Sequence, residues 1–323
     1  MPLPLLPICN SLVQIKSALS SSSAVLTAPP GSGKTTIVPL ALLDEPWLDG
    51  KKIIILQPRR IAARAACFRM SSLLNESPGT TIGYHIRHDR LNTKKTRIEV
   101  VTEGILTRRL QTNPDLPDVG LIIFDEFHER SIHADLALAL CHDLIQINDQ
   151  LKLLIMSATL DVTPISSLLG NIPVIRGEGT SHPVKVEYLD ASVNTNICNS
   201  AVNGILGVIH DRTGDILVFL PGIADIAATE KTLLQTADCA NLTIQTLYGN
   251  LSQKEQDGIL HPKSSTKRRI VLATSIAETS LTIEGIVNVI DSGWCKRPHF
   301  NPTNGLTTLK TMRISKSSAD QRA

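Results

Sequence analysis

The chain has 323 residues, 42 % hydrophobic and 19 % charged, a globular balance that excludes wholesale disorder and leaves room for two domains of ordinary size. Basic and acidic residues number 32 and 30, so the net charge of +2 points to no polyanionic partner. The six cysteines lie far apart with no C-x-x-C pair, which excludes zinc-site spacing, and no apolar run reaches the ~18 residues of a membrane span.

Free thiols in a reducing cytoplasm are therefore expected. Met1 to Leu6 is apolar but has no basic stretch ahead of it, so a secretion signal is not expected. Charge is unevenly spread. Lys51 to Arg109 holds 13 basic and 4 acidic residues, a local +9, and Lys263 to Ala323 holds 10 and 4, a local +6. The two segments would form an anion-binding surface if the fold joined them; dispersed, solvated charge is the alternative.

In chain order, short apolar runs at Ala24 to Thr27, Ile53 to Gln57, Arg97 to Thr102, Leu121 to Asp125 and Leu151 to Met156 read as strands buried on both faces. Helices are expected between them, at Arg60 to Leu74 and at Ala134 to Ile147. The second places Leu136, Leu140, Leu144 and Ile147 at helical spacing. This βαβα order predicts a doubly wound α/β domain. Gly177 to Pro183, "GEGTSHP", reads as a linker. A second α/β series follows, with strands at Asp215 to Leu220, Leu242 to Leu247, Arg269 to Ala273 and Val287 to Asp291. Domains of 1–178 and 179–323 are expected.

"APPGSGKTT" (Ala28, Pro29, Pro30, Gly31, Ser32, Gly33, Lys34, Thr35, Thr36) follows the first strand and precedes a helix-compatible stretch. It fits the P-loop pattern except at its first position, where alanine replaces glycine. Gly31 and Gly33 allow the loop to turn amides toward phosphate oxygens at a helix N-terminus. Lys34 supplies a compact positive charge for the β- and γ-phosphates, and Thr35 a hydroxyl for Mg²⁺. About 90 residues later, "LIIFDEFHER" ends a buried strand in two carboxylates. Ligands of open α/β sheets bind beyond the carboxyl ends of the strands, so Asp125 and Glu126 are expected beside the P-loop. Asp125 suits Mg²⁺, partly through water; Glu126 suits orientation and deprotonation of the attacking water. The combination reads as an NTPase. His128 reads as a residue that bonds across to the second domain and reports nucleotide state. His85, His88 and His133 carry no motif.

These residues resemble the DEAH-type ATP-dependent RNA helicases of superfamily two, and among them the bacterial HrpB type. "QPRRIAAR" (57–64), "TEGIL" (102–106), "DEFH" (125–128), "SAT" (157–159), "LVFLPG" (217–222) and "ATSIAETSLTI" (273–283) match successive motifs of that family. The resemblance implies an α/β fold of two tandem RecA-like domains with mostly parallel sheets and ATP between them. It also implies RNA, single-stranded or duplex, held through its backbone by Arg59, Arg60, Thr102 and Gly104 of the first domain and Thr274 of the second. Ser157 and Thr159 would couple the two sites. Arg69 would stack on one side of adenine and Leu260 would face it from the other side, giving weak selection among NTPs. The expected surroundings are cytoplasmic, with no membrane.

Two departures stand out. Ser275 occupies a position where relatives generally carry asparagine. The sequence also stops at "SADQRA", within the last motif, and the resemblance therefore leads us to expect a chain without the family's downstream arginine fingers and C-terminal domains, its second domain incomplete. The expectation is a nucleotide-binding chain with slow turnover, because such a finger is worth ~10³–10⁵ in rate. A DNA-directed superfamily-two translocase and a silent nucleotide- and RNA-binding module remain the alternatives.

Overall fold

Apolar strands with no polar face must be covered from both sides, and this sequence supplies helices for both. The computed structural model describes residues 4–158, 162–179, 184–189, 196–260, 267–278 and 283–322. Contacts divide the chain into two units, Met1–Pro183 and Val184–Ala323. Of the expected linker, residues 180–183 lie outside the described ones.

The first unit runs α1 (Leu12–Ser21), β1 (Ala24–Thr27), α2 (Lys34–Leu42), β2 (Lys52–Gln57), α3 (Arg60–Leu73), β3 (Ile82–Ile86), β4 (Asp89–Leu91), β5 (Ile98–Thr102), α4 (Glu103–Thr112), β6 (Val119–Phe124), α5 (Ile132–Ile145), β7 (Lys152–Ser157), α6 (Thr163–Leu168) and β8 (Val174–Arg176). The sheet order is β4-β3-β5-β2-β6-β7-β1-β8, parallel except for the β3–β4 pair. The strand pleat explains the unbroken apolar runs. In β2, Ile53 and Ile55 pack with α1, α2 and α3, while Ile54 and Leu56 pack with α4 and α5. Full burial of such a side chain stabilises the fold by roughly 1.5–3 kcal/mol.

The second unit runs α7 (Ile197–Asp211), β9 (Asp215–Phe219), α8 (Ile223–Leu234), β10 (Thr243–Leu247), α9 (Gln253–Leu260), β11 (Arg269–Ala273), β12 (Ile286–Asp291), β13 (Trp294–Asn301), β14 (Leu306–Arg313) and α10 (Lys316–Arg322). Its parallel sheet has the order β10-β11-β9-β12, and β13 and β14 form a separate antiparallel hairpin. Arg322 anchors α10. Its guanidinium donates to Asp291 Oδ1 (2.7 Å) and Glu278 Oε2 (3.0 Å) and lies over the Phe219 ring. Among the described residues no helix is long and apolar enough to cross a membrane.

Three expectations change. Helix α5 starts two residues earlier than Ala134, because the Ser131 hydroxyl caps it by accepting the Ala134 amide. Its buried face is Ala134, Ala137, Leu138, Cys141 and Leu144; Leu136 is 43 % exposed, and Ile147 is 79 % exposed beyond the helix end. Of the four expected positions, Leu144 is buried and Leu140 packs against the core. The sequence reading also missed β3, β4, β8 and the β13–β14 hairpin. The hairpin has an Asn304-Gly305 turn, with Gly305 at φ +67°, but Pro298 within β13 masks the strand pattern.

Arg269 is buried within β11. Its Nε donates to Asp215 Oδ2 (2.7 Å), and its other nitrogens reach the carbonyls of Ile259 and Glu284. Asp215→Ala would strand this charge, and urea unfolding should show a loss of about 3 kcal/mol. Adding Arg269→Met should recover part of that loss; additive losses would mean the pair is not coupled.

Candidate active site

Strands β1, β2, β5, β6 and β7 run parallel, so their carboxyl ends share one edge of the sheet. Thr27 pairs with Ser157, Gln57 with Thr102, and Leu56 with Phe124. The loop after β1 and the acidic turn after β6 therefore open on the same side, with β7 between them.

The loop is held at both ends. The Ala28 amide donates to Ser157 O (3.1 Å), and Ile8 N–H donates to Ser32 O (3.2 Å). Gly31 sits at φ +73° with open space where a Cβ would project. Gly33, at φ +95°, begins α2, and a Cβ there would lie 2.7 Å from Leu6 Cδ1. No side chain caps α2, so its first amides remain available to an anion. Pro29 and Pro30 precede the turn, and Thr36 N–H bonds back to Gly33 O.

Lys34, Thr35, Asp125 and Glu126 converge. The Thr35 hydroxyl donates to Asp125 Oδ2 (2.6 Å), and the Glu126 amide donates to Asp125 Oδ1 (2.9 Å). Lys34 Nζ lies 3.7 Å from Glu126 Oε1. Glu126 adopts φ +52°, a left-handed conformation that costs a non-glycine residue of order 1 kcal/mol or more. Asp125 is 4 % exposed and Glu126 9 %. Desolvation, then the neighbouring Glu126 charge, raises the Asp125 pKa to about 6 against the pull of Lys34. Desolvation likewise raises Glu126. Desolvation and then Lys34 lower His128, which favours its neutral ring. The Ala158 amide donates to His128 Nδ1 (3.1 Å), so the ring proton sits on Nε2, 3.4 Å from Glu126 Oε2. Both of these partners belong to the first unit.

The oxygen set suits Mg²⁺. Among the described residues no three His, Cys, Asp or Glu side chains are placed to enclose a metal. One hydroxyl and one carboxylate leave most coordination positions to water and phosphate, as Mg²⁺ prefers.

Other expected site residues are more scattered. Arg59 pairs with Glu129 (3.2 Å), Arg60 is exposed, Thr102 immediately precedes α4 without a side-chain capping bond, and Gly104 is exposed with open space around it; all lie at the same sheet edge. Arg69 is exposed on α3. Ser157 is buried at the end of β7, and Thr159 lies outside the described residues. Thr274 follows β11 in the second unit, its amide donating to Leu247 O (3.1 Å), and Ser275 starts the short turn Ser275–Ala277. Leu260 is buried in a core cluster with Ile259, Val271 and Ile283, so it offers no face to a base. The basic segment 51–109 is partly neutralised, with Lys52 on Asp118, Arg64 on Asp89 and Arg109 on Glu99. A cavity of about 240 Å³ among Lys52, Arg90, Asn92, Glu99, Arg109 and Asp118 contains two of these pairs and none of the convergent site residues. One site residue was missed. Gln57 donates from Nε2 to Asp125 Oδ2 (2.5 Å). Its signal was an amide ending the otherwise apolar run of β2.

Residues 13–168 match the DEAD/DEAH box helicase family, and residues 199–322 match the helicase conserved C-terminal domain. The chain belongs to the DEAD/DEAH box helicases. It is 44 % identical to the ATP-dependent RNA helicase HrpB of Escherichia coli, over 98 % of the chain and 39 % of that relative. It is 36 % identical to a probable ATP-dependent RNA helicase, the DHX35 homolog of Caenorhabditis elegans, over 93 % of the chain and 43 % of that protein. The crystal structure of the Escherichia coli DEAH/RHA helicase HrpB superposes with a TM-score of 0.90 at 43 % identity, over 98 % of this chain and 41 % of that one. This helicase chain thus has tandem RecA-like domains and spans about two fifths of the length of these relatives.

Because burial raises the Asp125 pKa, protonation of this group favours the folded state. That contribution is present below the unfolded value near 4 and is lost as pH rises through about 6. Asp125→Asn should therefore gain stability relative to the parent chain between pH 4 and pH 7. Thermal melts of the nucleotide-free proteins across that range check the sign, and a pH-independent difference would contradict it.

Proposed function

We propose that this chain binds ATP with Mg²⁺ at the Ala28–Thr36 loop, hydrolyses it, and couples hydrolysis to movement on single-stranded or duplex RNA. The convergence of Thr35 and Asp125, with Lys34 and Glu126 beside them, carries this reading. The uncapped amides of the α2 N-terminus and the Lys34 ammonium bind the phosphates. Thr35 and Asp125 would hold Mg²⁺, which would supply charge neutralisation at the transferring phosphate. Glu126, made more basic by burial, orients the attacking water and takes its proton. His128 Nε2–H keeps the Glu126 carboxylate turned toward the loop, and its Nδ1 ties this turn to the Ser157–Thr159 motif that couples the two sites. Arg59, Arg60, Thr102 and Gly104, with Thr274 of the second unit, contact the nucleic-acid backbone without reading its sequence. Arg69 stacks on the base. The relatives named as RNA helicases favour RNA over DNA.

Steady-state ATP hydrolysis with and without RNA tests the reading. Glu126→Gln should lower turnover by ~10²–10⁴-fold while ATP still binds, and Lys34→Ala should weaken binding itself. Parental turnover in Glu126→Gln would remove Glu126 from the role. Binding without any RNA-stimulated turnover in the parent chain would reduce the protein to a nucleotide-binding module, and stimulation by DNA alone would replace RNA as the partner.

A further inference from the structure

Asp125 is held by more donors than the loop and its own turn provide. Its Oδ1 accepts the Glu126 amide, while Oδ2 accepts both the Thr35 hydroxyl (2.6 Å) and the Gln57 amide nitrogen (2.5 Å). Gln57 is the last residue of β2 and is fully buried. Its backbone neighbour Leu56 receives the Asp125 N–H (3.0 Å), so main chain and side chain of β2 grip the same residue. The amide orientation is fixed by chemistry, because only the nitrogen can donate to a carboxylate.

The other end of that amide is unusual. Gln57 Oε1 is buried and has no hydrogen-bond partner among the described residues. Such an orphaned acceptor costs about 1–3 kcal/mol, a penalty that an apolar side chain of similar volume would not carry. The gain from glutamine at this position therefore lies at its donor end, on Asp125.

We propose that Gln57 is a positioning residue that sets the rotation of the Asp125 carboxylate, the group that would hold Mg²⁺ together with Thr35. This rests on the Mg²⁺ reading above. The Thr35 hydroxyl has one proton and, in that reading, also serves the ion. Among the described residues, the Gln57 amide is the one side-chain donor on Asp125 that would not also serve the ion, and it would keep the carboxylate aimed before and after metal arrives. Outer partners of metal-binding carboxylates commonly change metal affinity by ~10–100-fold when removed.

The test uses the whole chain and a fluorescent N-methylanthraniloyl-ADP, titrated with Mg²⁺, with Mn²⁺ electron paramagnetic resonance as a second readout. Gln57→Met keeps shape and removes the amide; Gln57→Leu replaces it if the methionine variant does not fold. The concentration of Mg²⁺ for half-maximal enhancement of nucleotide binding should rise about tenfold. Binding in EDTA should stay within about twofold of the parent, a split that general disruption of the loop would not produce. Asp125→Asn is measured alongside. A raised Mg²⁺ requirement in Asp125→Asn but not in Gln57→Met overturns the role of Gln57 alone. An unchanged requirement in both means that the metal reading has failed. Equal loss of nucleotide binding with and without metal in Gln57→Met also overturns the proposal.

Discussion

One hydroxyl proton, shared between Thr35 and Asp125, joins two turns that are 90 residues apart in the chain. The sheet order makes the bond possible. With β7 between β1 and β6, the loop and the acidic turn meet at one edge, and the buried surroundings then set the chemistry. Lys34 contributes one positive charge, Asp125 and Glu126 two negative ones, and a neutral His128 none. The site therefore carries an excess negative charge, and desolvation is the first cause that pushes both carboxylates upward. A divalent cation would reverse that balance and leave positive charge for phosphates to meet.

Much of this was legible in the sequence because each motif carries its mechanism locally. Gly31, Gly33, Lys34 and Thr35 are adjacent, and the buried strand that delivers Asp125 is a single apolar run. What the sequence hid was the direction in which particular side chains point. Leu136 and Leu144 share a helical period, yet only Leu144 is buried, since the cap at Ser131 and the small residues Ala134, Ala137 and Cys141 set the packed stripe. Leu260 aligned with a base-facing position but fills a core. Gln57 sat in plain view inside a nucleic-acid motif, and only the pairing of β2 with β6 turns it toward Asp125.

Charge along the chain has a related blind spot. The excess between Lys51 and Arg109 reads as an open basic surface only while its partners are ignored. Asp118 and Glu129 lie outside that window in sequence, yet they neutralise Lys52 and Arg59 in space. Arg60, Arg69, Lys94, Lys95 and Arg108 stay exposed. Local charge along a chain thus bounds the field of a folded surface without fixing it.

Leu6 and Ile8 give the phosphate loop an unexpected dependency. Ile8 reaches Ser32 through its backbone, and Leu6 lies where a Gly33 side chain would be. The recognisable helicase domain begins only at residue 13. A recombinant version trimmed to that boundary would preserve every signature residue and still discard the brace beneath the loop, so design of shorter variants should start upstream of the matched region.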